Sequence, residues 1–94
     1  MSEKLIEQAI RERRNITFLY SGDMRKVEPH LLGITLKNVL TLSGWQTEGP
    51  RGDGWRGYHV NKISDLKILD ENFHNVRPGY NPHDSTMAKI ICRV

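Results

Sequence analysis

The sequence has little of what marks secreted, membrane-spanning or disulfide-stabilised proteins. Its 94 residues include one cysteine, Cys92, which cannot form an internal disulfide bond, so a reducing compartment is the simplest location. No apolar run is long enough for a signal peptide or a membrane span, and no repeat or low-complexity tract is visible. These absences predict a single cytoplasmic domain that does not enter a membrane.

Catalytic and metal-binding patterns are missing as well. The side chains that could supply metal ligands or a nucleophile are His30, His59, His74, His83 and Cys92. Their spacing matches no zinc-binding pattern, and neither a Ser-His-Asp arrangement nor a glycine-rich phosphate loop is recognisable. We therefore expect no catalytic residues, no metal and no cofactor, and an enzyme is the least favoured class of function.

The clearest pattern that is present predicts a β-hairpin within residues 16–32. Apolar and polar residues alternate over residues 16–20, turn residues occupy 21–24, and a second extended run begins at Arg25. With a loop of four residues, the opposed pairs are Tyr20 with Arg25, Phe18 with Val27, and Ile16 with Pro29. Because opposed side chains share a face of the sheet, a tyrosine ring lies beside a guanidinium. This pair is either simple packing or the floor of an anion or nucleotide site.

One helix and several short strands are predicted around the hairpin. Residues 3–14 form an amphipathic helix ended by Asn15, and its apolar stripe should face Phe18 and Val27. The stripe consists of Leu5, Ile6, Ala9 and Ile10. Further strands are predicted on both sides of a two-residue turn at Lys37-Asn38 and within residues 55–62, 66–69 and 87–94, with a flexible loop over residues 46–54.

One helix followed by five or six short, curved strands predicts a mainly β fold. Closure of such a sheet removes exposed strand edges, so we expect a small SH3-like or Sm-like bent β-barrel. We assign residues 1–75 to the barrel and its N-terminal helix. Residues 76–94 are expected to form a connector and a C-terminal strand that packs on the barrel or on a partner, with Cys92 as a small buried hydrophobic residue.

Two segments of the chain stand in a recognisable order. The first is Arg25-Lys26-Val27-Glu28-Pro29, and the second is Arg56-Gly57-Tyr58-His59-Val60-Asn61-Lys62-Ile63. Together they resemble the WYL domain of bacterial regulators, over roughly residues 5–73. The resemblance implies an Sm-like β-barrel with an N-terminal helix. It also implies a ligand-sensing role in transcription regulation, with single-stranded nucleic acid or nucleotides as ligands.

The chain also departs from the WYL pattern. The motif that names the family falls on Leu40-Thr41-Leu42, so its tryptophan and tyrosine are absent, and Lys62 stands where arginine is usual. The DNA-binding helix-turn-helix domain that usually precedes a WYL domain is not in this sequence. We therefore expect a stand-alone WYL-like domain and not a self-sufficient transcription factor.

The resemblance carries a set of ligand-binding residues over to this chain. They are Tyr20, Arg25, Arg56, Tyr58 and Lys62, with His30 and His59 as neighbours. Arginines bind phosphate through bidentate hydrogen bonds, and tyrosine rings offer flat faces to bases, so these residue types suit a nucleotide. In the alternative, Tyr58 belongs to the core and Arg25 pairs with an acidic residue such as Glu28 or Asp23.

Two classes of function remain after enzymes are set aside. The first is a non-enzymatic binding module for single-stranded nucleic acid or a nucleotide-like anion, which signals to a partner protein. The net charge of +3 permits such an anionic ligand without requiring it. The second is an oligomerisation or protein-interaction domain with no small ligand. A mass that depends on concentration, with no response to ligand, would distinguish the second from the first.

Overall fold

The computed structural model describes residues 2–94 as one N-terminal helix and an antiparallel sheet of six strands. The elements are α1 (Ser2–Glu12), β1 (Arg14–Tyr20), β2 (Asp23–Thr35), β3 (Leu40–Glu48), β4 (Gly54–His59), a 3-10 turn (Val60–Lys62), β5 (Ser64–Asn72) and β6 (Met87–Arg93). The predicted mainly β class with one N-terminal helix is confirmed. Within residues 2–94, no helix has the length and apolar character needed to cross a membrane.

Strand β2 organises the sheet because it pairs with three other strands. The order is β4-β3-β2-β1-β5, and β6 also pairs with β2. Strand β3 follows one edge of β2, whereas β1 and β6 share the other edge, β1 along residues 23–27 and β6 along residues 31–35. Pro29 lies between these two stretches, next to a break in the β2–β3 register. Since proline has no N–H to donate, it suits the point where β2 changes partner.

The first hairpin is tighter than the sequence predicts. Its loop is Ser21-Gly22 alone, and both residues have positive φ, 53° and 80°, as two-residue hairpin turns require. The observed pairs are Tyr20 with Asp23, Phe18 with Arg25, and Ile16 with Val27. The predicted register is therefore wrong by two residues. Because strand side chains alternate with a period of two, the shift leaves every side chain on its predicted face.

The second hairpin is longer than predicted. Its loop runs over residues 36–38, closed by a hydrogen bond from the Thr35 N–H to the Val39 carbonyl. Asn38 takes the left-handed conformation at φ 63°. A turn of three residues whose last residue is left-handed is a common hairpin closure, so the predicted two-residue turn is wrong by one residue.

Helix α1 ends two residues before the predicted boundary and presents a different face to the sheet. It ends at Glu12, and Arg13 takes the left-handed conformation, with φ 52°, that was expected of Asn15. Ile6, Ala9 and Ile10 are buried, but Leu5 is 36% exposed. With 3.6 residues per turn, Leu5 lies roughly 90° from the centre of the buried face, at its margin. The expectation that Leu5 faces the core is therefore wrong.

The core lies between α1 and the face of the sheet that α1 covers. It is built from Ile6, Ala9, Ile10, Ile16, Phe18, Val27, Leu32, Leu42, Tyr58, Val60 and Ile63. Strand β6 completes the sheet within the same chain, and Cys92 packs at the margin of this core. Burial raises the pKa of the Cys92 thiol, so it stays protonated and unreactive at neutral pH.

Candidate functional site

Four of the predicted site residues meet on the core-facing side of strands β1–β4, around Gln46. The Gln46 Oε1 accepts hydrogen bonds from the Tyr58 hydroxyl at 2.8 Å and from Arg25 Nη1 at 3.3 Å. The side-chain amide nitrogen of Gln46 donates to the carbonyls of Pro50 and Gly52. The Gly52 carbonyl also accepts from Arg56. We call this connected group the arginine cluster; its members are Tyr20, Arg25, Gln46, Arg56 and Tyr58.

Arg25 is a buried cation without a counter-ion. It is 7% exposed, and its guanidinium carbon lies 5.5 Å from the centre of the Tyr20 ring. Its Nη2 donates to the Tyr20 carbonyl at 3.3 Å, and its Nε has no partner. Among residues 2–94, no carboxylate oxygen lies within 4.0 Å of it. The alternative pairing with Glu28 or Asp23 is not formed.

Arg56 has the same kind of surroundings. Its Nη1 donates to the Trp55 carbonyl at 2.9 Å, and its Nη2 donates to the carbonyls of Arg51 and Gly52 at 3.1 and 2.9 Å. Its Nε is buried without a partner. Both guanidinium groups thus donate hydrogen bonds only to neutral oxygens. A buried charge without an opposite charge is costly, whereas an incoming anion would form charge-assisted hydrogen bonds with a guanidinium group.

A glycine-rich loop over residues 49–54 lies directly on the arginine cluster, and we call it the covering loop. Gly49, Gly52 and Gly54 all have positive φ. A Cβ added at Gly49 would lie 3.0 Å from Arg25 Cδ, and one at Gly54 would lie 2.9 Å from Arg56 Nη1. The positive φ favours glycine at both positions, and at Gly49 an added Cβ would also press on the Arg25 and Gln46 side chains. The predicted flexible loop began at Gln46, but residues 46–48 belong to β3.

The two tyrosines of the arginine cluster differ in their exposure to solvent. Tyr58 is 1% exposed, with its ring edge-on to Phe18 at 5.0 Å and to Tyr20 at 5.1 Å. It therefore belongs to the core, and its ring offers no free face for a base. Burial raises the pKa of the Tyr58 hydroxyl, which keeps it protonated as the donor to Gln46. Tyr20 is partly exposed, and its hydroxyl accepts a hydrogen bond from the His59 N–H.

The remaining predicted residues lie outside the arginine cluster. The His59 side chain is exposed, and Lys62 is exposed on the 3-10 turn that follows β4. His30 is fully buried elsewhere, under the segment that connects β5 to β6. Its ring stacks on Phe73 at 5.0 Å and meets the rings of Trp55 and Tyr80. The prediction that His30 borders the same site is therefore wrong, because Pro29 and the register break carry it into a different cluster.

The hydrogen bonds of His30 define its protonation state. Its Nδ1 lies 2.8 Å from the Glu28 carbonyl oxygen and so must carry the hydrogen. Its Nε2 accepts from the Arg77 N–H at 3.3 Å, so the ring is neutral. Arg77 also donates from Nε and Nη2 to the Glu28 carboxylate at 2.7 and 2.9 Å. A neutral histidine thus helps to hold the connecting segment on the sheet.

We expect the protein to lose stability as the pH falls below about 6.5, the ordinary pKa of histidine. Burial lowers the pKa of His30, partly offset by the Glu28 carbonyl and carboxylate, while Arg13 and Arg77 lower it further. Below pH 6.5 the unfolded chain binds a proton that the folded chain does not, so the stability present above that pH is lost.

Urea unfolding between pH 8 and 5 measures this effect. His30→Gln should remove the part of the slope below pH 6.5 that belongs to this ring, and His59→Gln, at an exposed ring, should leave the slope intact. An unchanged slope in His30→Gln would contradict the assignment.

Gln46 is the site residue that the sequence analysis did not find. It alternates with Leu42 and Gly44 along β3, so its side chain points into the core. The alternation of Leu42, Gly44 and Gln46 was the available signal in the sequence, because an amide at an inward strand position needs polar partners. Those partners are Arg25 and Tyr58, distant in sequence, and the carbonyls of the covering loop.

Comparisons with models of known protein families, with curated proteins and with solved structures found no match. The resemblance to the WYL domain therefore depends on the sequence segments quoted above.

Proposed function

We propose that this chain is a non-enzymatic binding module for single-stranded nucleic acid or a nucleotide-like anion. Arg25 and Arg56 bind the phosphate, and the WYL-like role includes signalling to a partner protein. The observation that carries the proposal is the pair of guanidinium groups, one of them nine-tenths buried, whose hydrogen bonds all go to neutral oxygens.

Other partly buried cations of the chain are paired with carboxylates, and this contrast supports the proposal. Lys26 lies 2.6 Å from the Glu71 carboxylate, and Arg77 forms its bidentate pair with Glu28. Arg14 contacts Glu12 and Asp70. Arg25 is more deeply buried than any of these three cations, yet no carboxylate oxygen of residues 2–94 lies within 4.0 Å of it or of Arg56. Such an arrangement leaves positive charge without a counter-ion, which an incoming anion would neutralise. Arginine suits this role because it stays charged when buried.

The fold is part of the same proposal. In a WYL-like protein the sheet closes into an SH3-like or Sm-like β-barrel. The division of β2 between β1 and β6 along one edge, with β3 along the other, supports such closure because it lets the sheet turn back on itself. The arginine cluster then lies at the end where the covering loop is found.

The test is a titration of short fluorescein-labelled single strands of DNA and RNA, followed by fluorescence anisotropy at several salt concentrations. Contacts with two phosphates should give log affinity a slope of about −1.4 against log salt. Arg25→Ala should weaken binding and flatten the slope by about 0.7. Arg25→Lys should keep most of the slope while losing affinity, because an ammonium cannot form the bidentate contact.

Lys89→Ala is the matched control, since it removes one exposed positive charge from β6. It should leave affinity and slope nearly unchanged. A thermal melt of each variant shows whether it is folded. Absence of binding at tens of micromolar protein in low salt would refute the proposal, and a concentration-dependent mass in the same samples would then favour an oligomerisation domain.

A further inference from the structure

We infer that the anion recognised by the arginine cluster is a terminal phosphate monoester, and that it displaces the covering loop to reach Arg25 and Arg56. The inference rests on the proposed function and narrows its ligand class. It follows from the charge of the site, from the burial of Arg25 and from the loop carbonyl oxygens that accept hydrogen bonds from Arg56.

The charge of the site matches a dianion. Two guanidinium groups contribute two positive charges, and no carboxylate among residues 2–94 lies within 4.0 Å of either one. A phosphate monoester has a charge of about −1.5 to −2 at pH 7. A phosphodiester within a strand has a single negative charge. The monoester therefore neutralises the pair, whereas the diester leaves a buried positive charge unpaired.

The depth of the site favours the end of a strand. Arg25 is 7% exposed and is enclosed by Gln46, Tyr20 and the covering loop. A phosphate in the middle of a strand has a nucleotide on each side, and both must fit wherever the phosphate goes. A terminal phosphate has a nucleotide on one side alone. It can approach a buried guanidinium group while the rest of the ligand stays outside.

The covering loop supplies carbonyl oxygens to Arg56 and to Gln46, and phosphate oxygens would replace those at Arg56. The carbonyls of Pro50 and Gly52 accept from Gln46, and those of Arg51 and Gly52 accept from Arg56. Residues 51–53 are exposed, and glycines at 49, 52 and 54 give the loop freedom to change its backbone angles. A phosphate would exchange these neutral acceptors for charged ones, which form roughly twice as strong hydrogen bonds.

The experiment compares three strands of identical sequence with an internal fluorescent label: one with a 5′-phosphate, one with a 3′-phosphate, and one with hydroxyls at both ends. At fixed low salt and pH 7.5, at least one phosphorylated strand should bind about tenfold more tightly than the unphosphorylated strand, the gain of about 1.4 kcal/mol expected from an added charge-assisted hydrogen bond. The preference should shrink at pH 5.5, because the second pKa of the phosphate is about 6. Inorganic phosphate should compete more strongly than chloride at equal ionic strength.

The variants make the site assignment specific. Arg25→Ala and Arg56→Ala should each reduce the preference for the phosphorylated strand, not affinity alone, whereas Lys89→Ala should leave the preference intact. Equal binding of all three strands would overturn the inference while the proposed function stands. Failure of every strand to bind would overturn both. A preference that survives Arg25→Ala and Arg56→Ala unchanged would also overturn it, because the phosphate would then bind elsewhere.

Discussion

Replacing Gly44 with alanine should destabilise the fold by about 2 to 3 kcal/mol, the usual scale for forcing extra atoms into a packed core. Gly44 lies in β3 opposite Pro29, where β2 changes partner. A Cβ at this position would lie 2.6 Å from Val27 Cγ1 and 2.7 Å from the Glu28 carbonyl oxygen. The second contact is with backbone, which cannot rotate away. The strands would have to separate at the point where the register already breaks.

Gly57→Ala is the matched control for this prediction. Gly57 is an exposed residue of β4, paired with Ser43, and an added Cβ would meet the Thr41 methyl group at an ordinary distance of 3.8 Å. Its stability should change by less than about 1 kcal/mol, because the added methyl group meets only this ordinary contact and alanine restricts the unfolded chain. Urea unfolding of the two variants measures both effects. Equal midpoints would contradict the prediction, because they would show that the sheet at Gly44 accommodates a side chain without loss of stability.

The hairpin shows why faces are easier to predict than registers. The alternation along residues 16–20 fixes which side chains share a face, and that face remains correct although the loop has two residues instead of four. Loop length depends on whether Ser21 adopts positive φ, which its residue type does not reveal. Tyr20 and Arg25 are neighbours in both registers, since a shift of two residues moves side chains along a face without changing it.

The arginine cluster could be predicted only in part. The residue types of Tyr20, Arg25 and Arg56 indicated an anion site. Which residues surround them depends on contacts between distant segments of the chain. Gln46 reaches Arg25 and Tyr58 because β3 pairs with both β2 and β4. The covering loop follows β3 and folds back so that its carbonyls accept hydrogen bonds from Gln46. The surroundings of His30 could not be predicted for the same reason. Its ring contacts Phe73 and Tyr80, and the sequence of residues 73–80 has no alternation that predicts their position.

The resemblance to the WYL domain places the tryptophan and tyrosine of its motif at Leu40 and Thr41, outside the arginine cluster. Leu40 packs against the core, and the Thr41 hydroxyl donates to the Val39 carbonyl, so neither residue contributes to the hydrogen bonds of the cluster. The next inward residues of β3 are Leu42, Gly44 and Gln46. The phosphate-binding proposal therefore does not depend on the missing aromatic side chains.

Ile6→Ala in helix α1 should cost about 2 to 5 kcal/mol of unfolding free energy, the range for removing a fully buried aliphatic side chain and leaving a cavity. Ile6 is 0% exposed within the core cluster that includes Phe18 and Val27. An isolated helix of 11 residues is marginal in water, so α1 depends on this packing for its own formation. Loss of helical signal and loss of the tertiary fold should therefore occur in one transition.

Leu5→Ala provides the comparison on the same helix. Leu5 precedes Ile6 directly but is 36% exposed at the margin of the buried face, so its truncation should cost less than about 1 kcal/mol. Both residues become alanine, the best helix former, so helix propensity does not account for the difference. Guanidinium unfolding followed by circular dichroism measures both values. If Leu5→Ala costs as much as Ile6→Ala, Leu5 packs in the core as the apolar stripe predicts, and its position at the margin of the buried face is wrong.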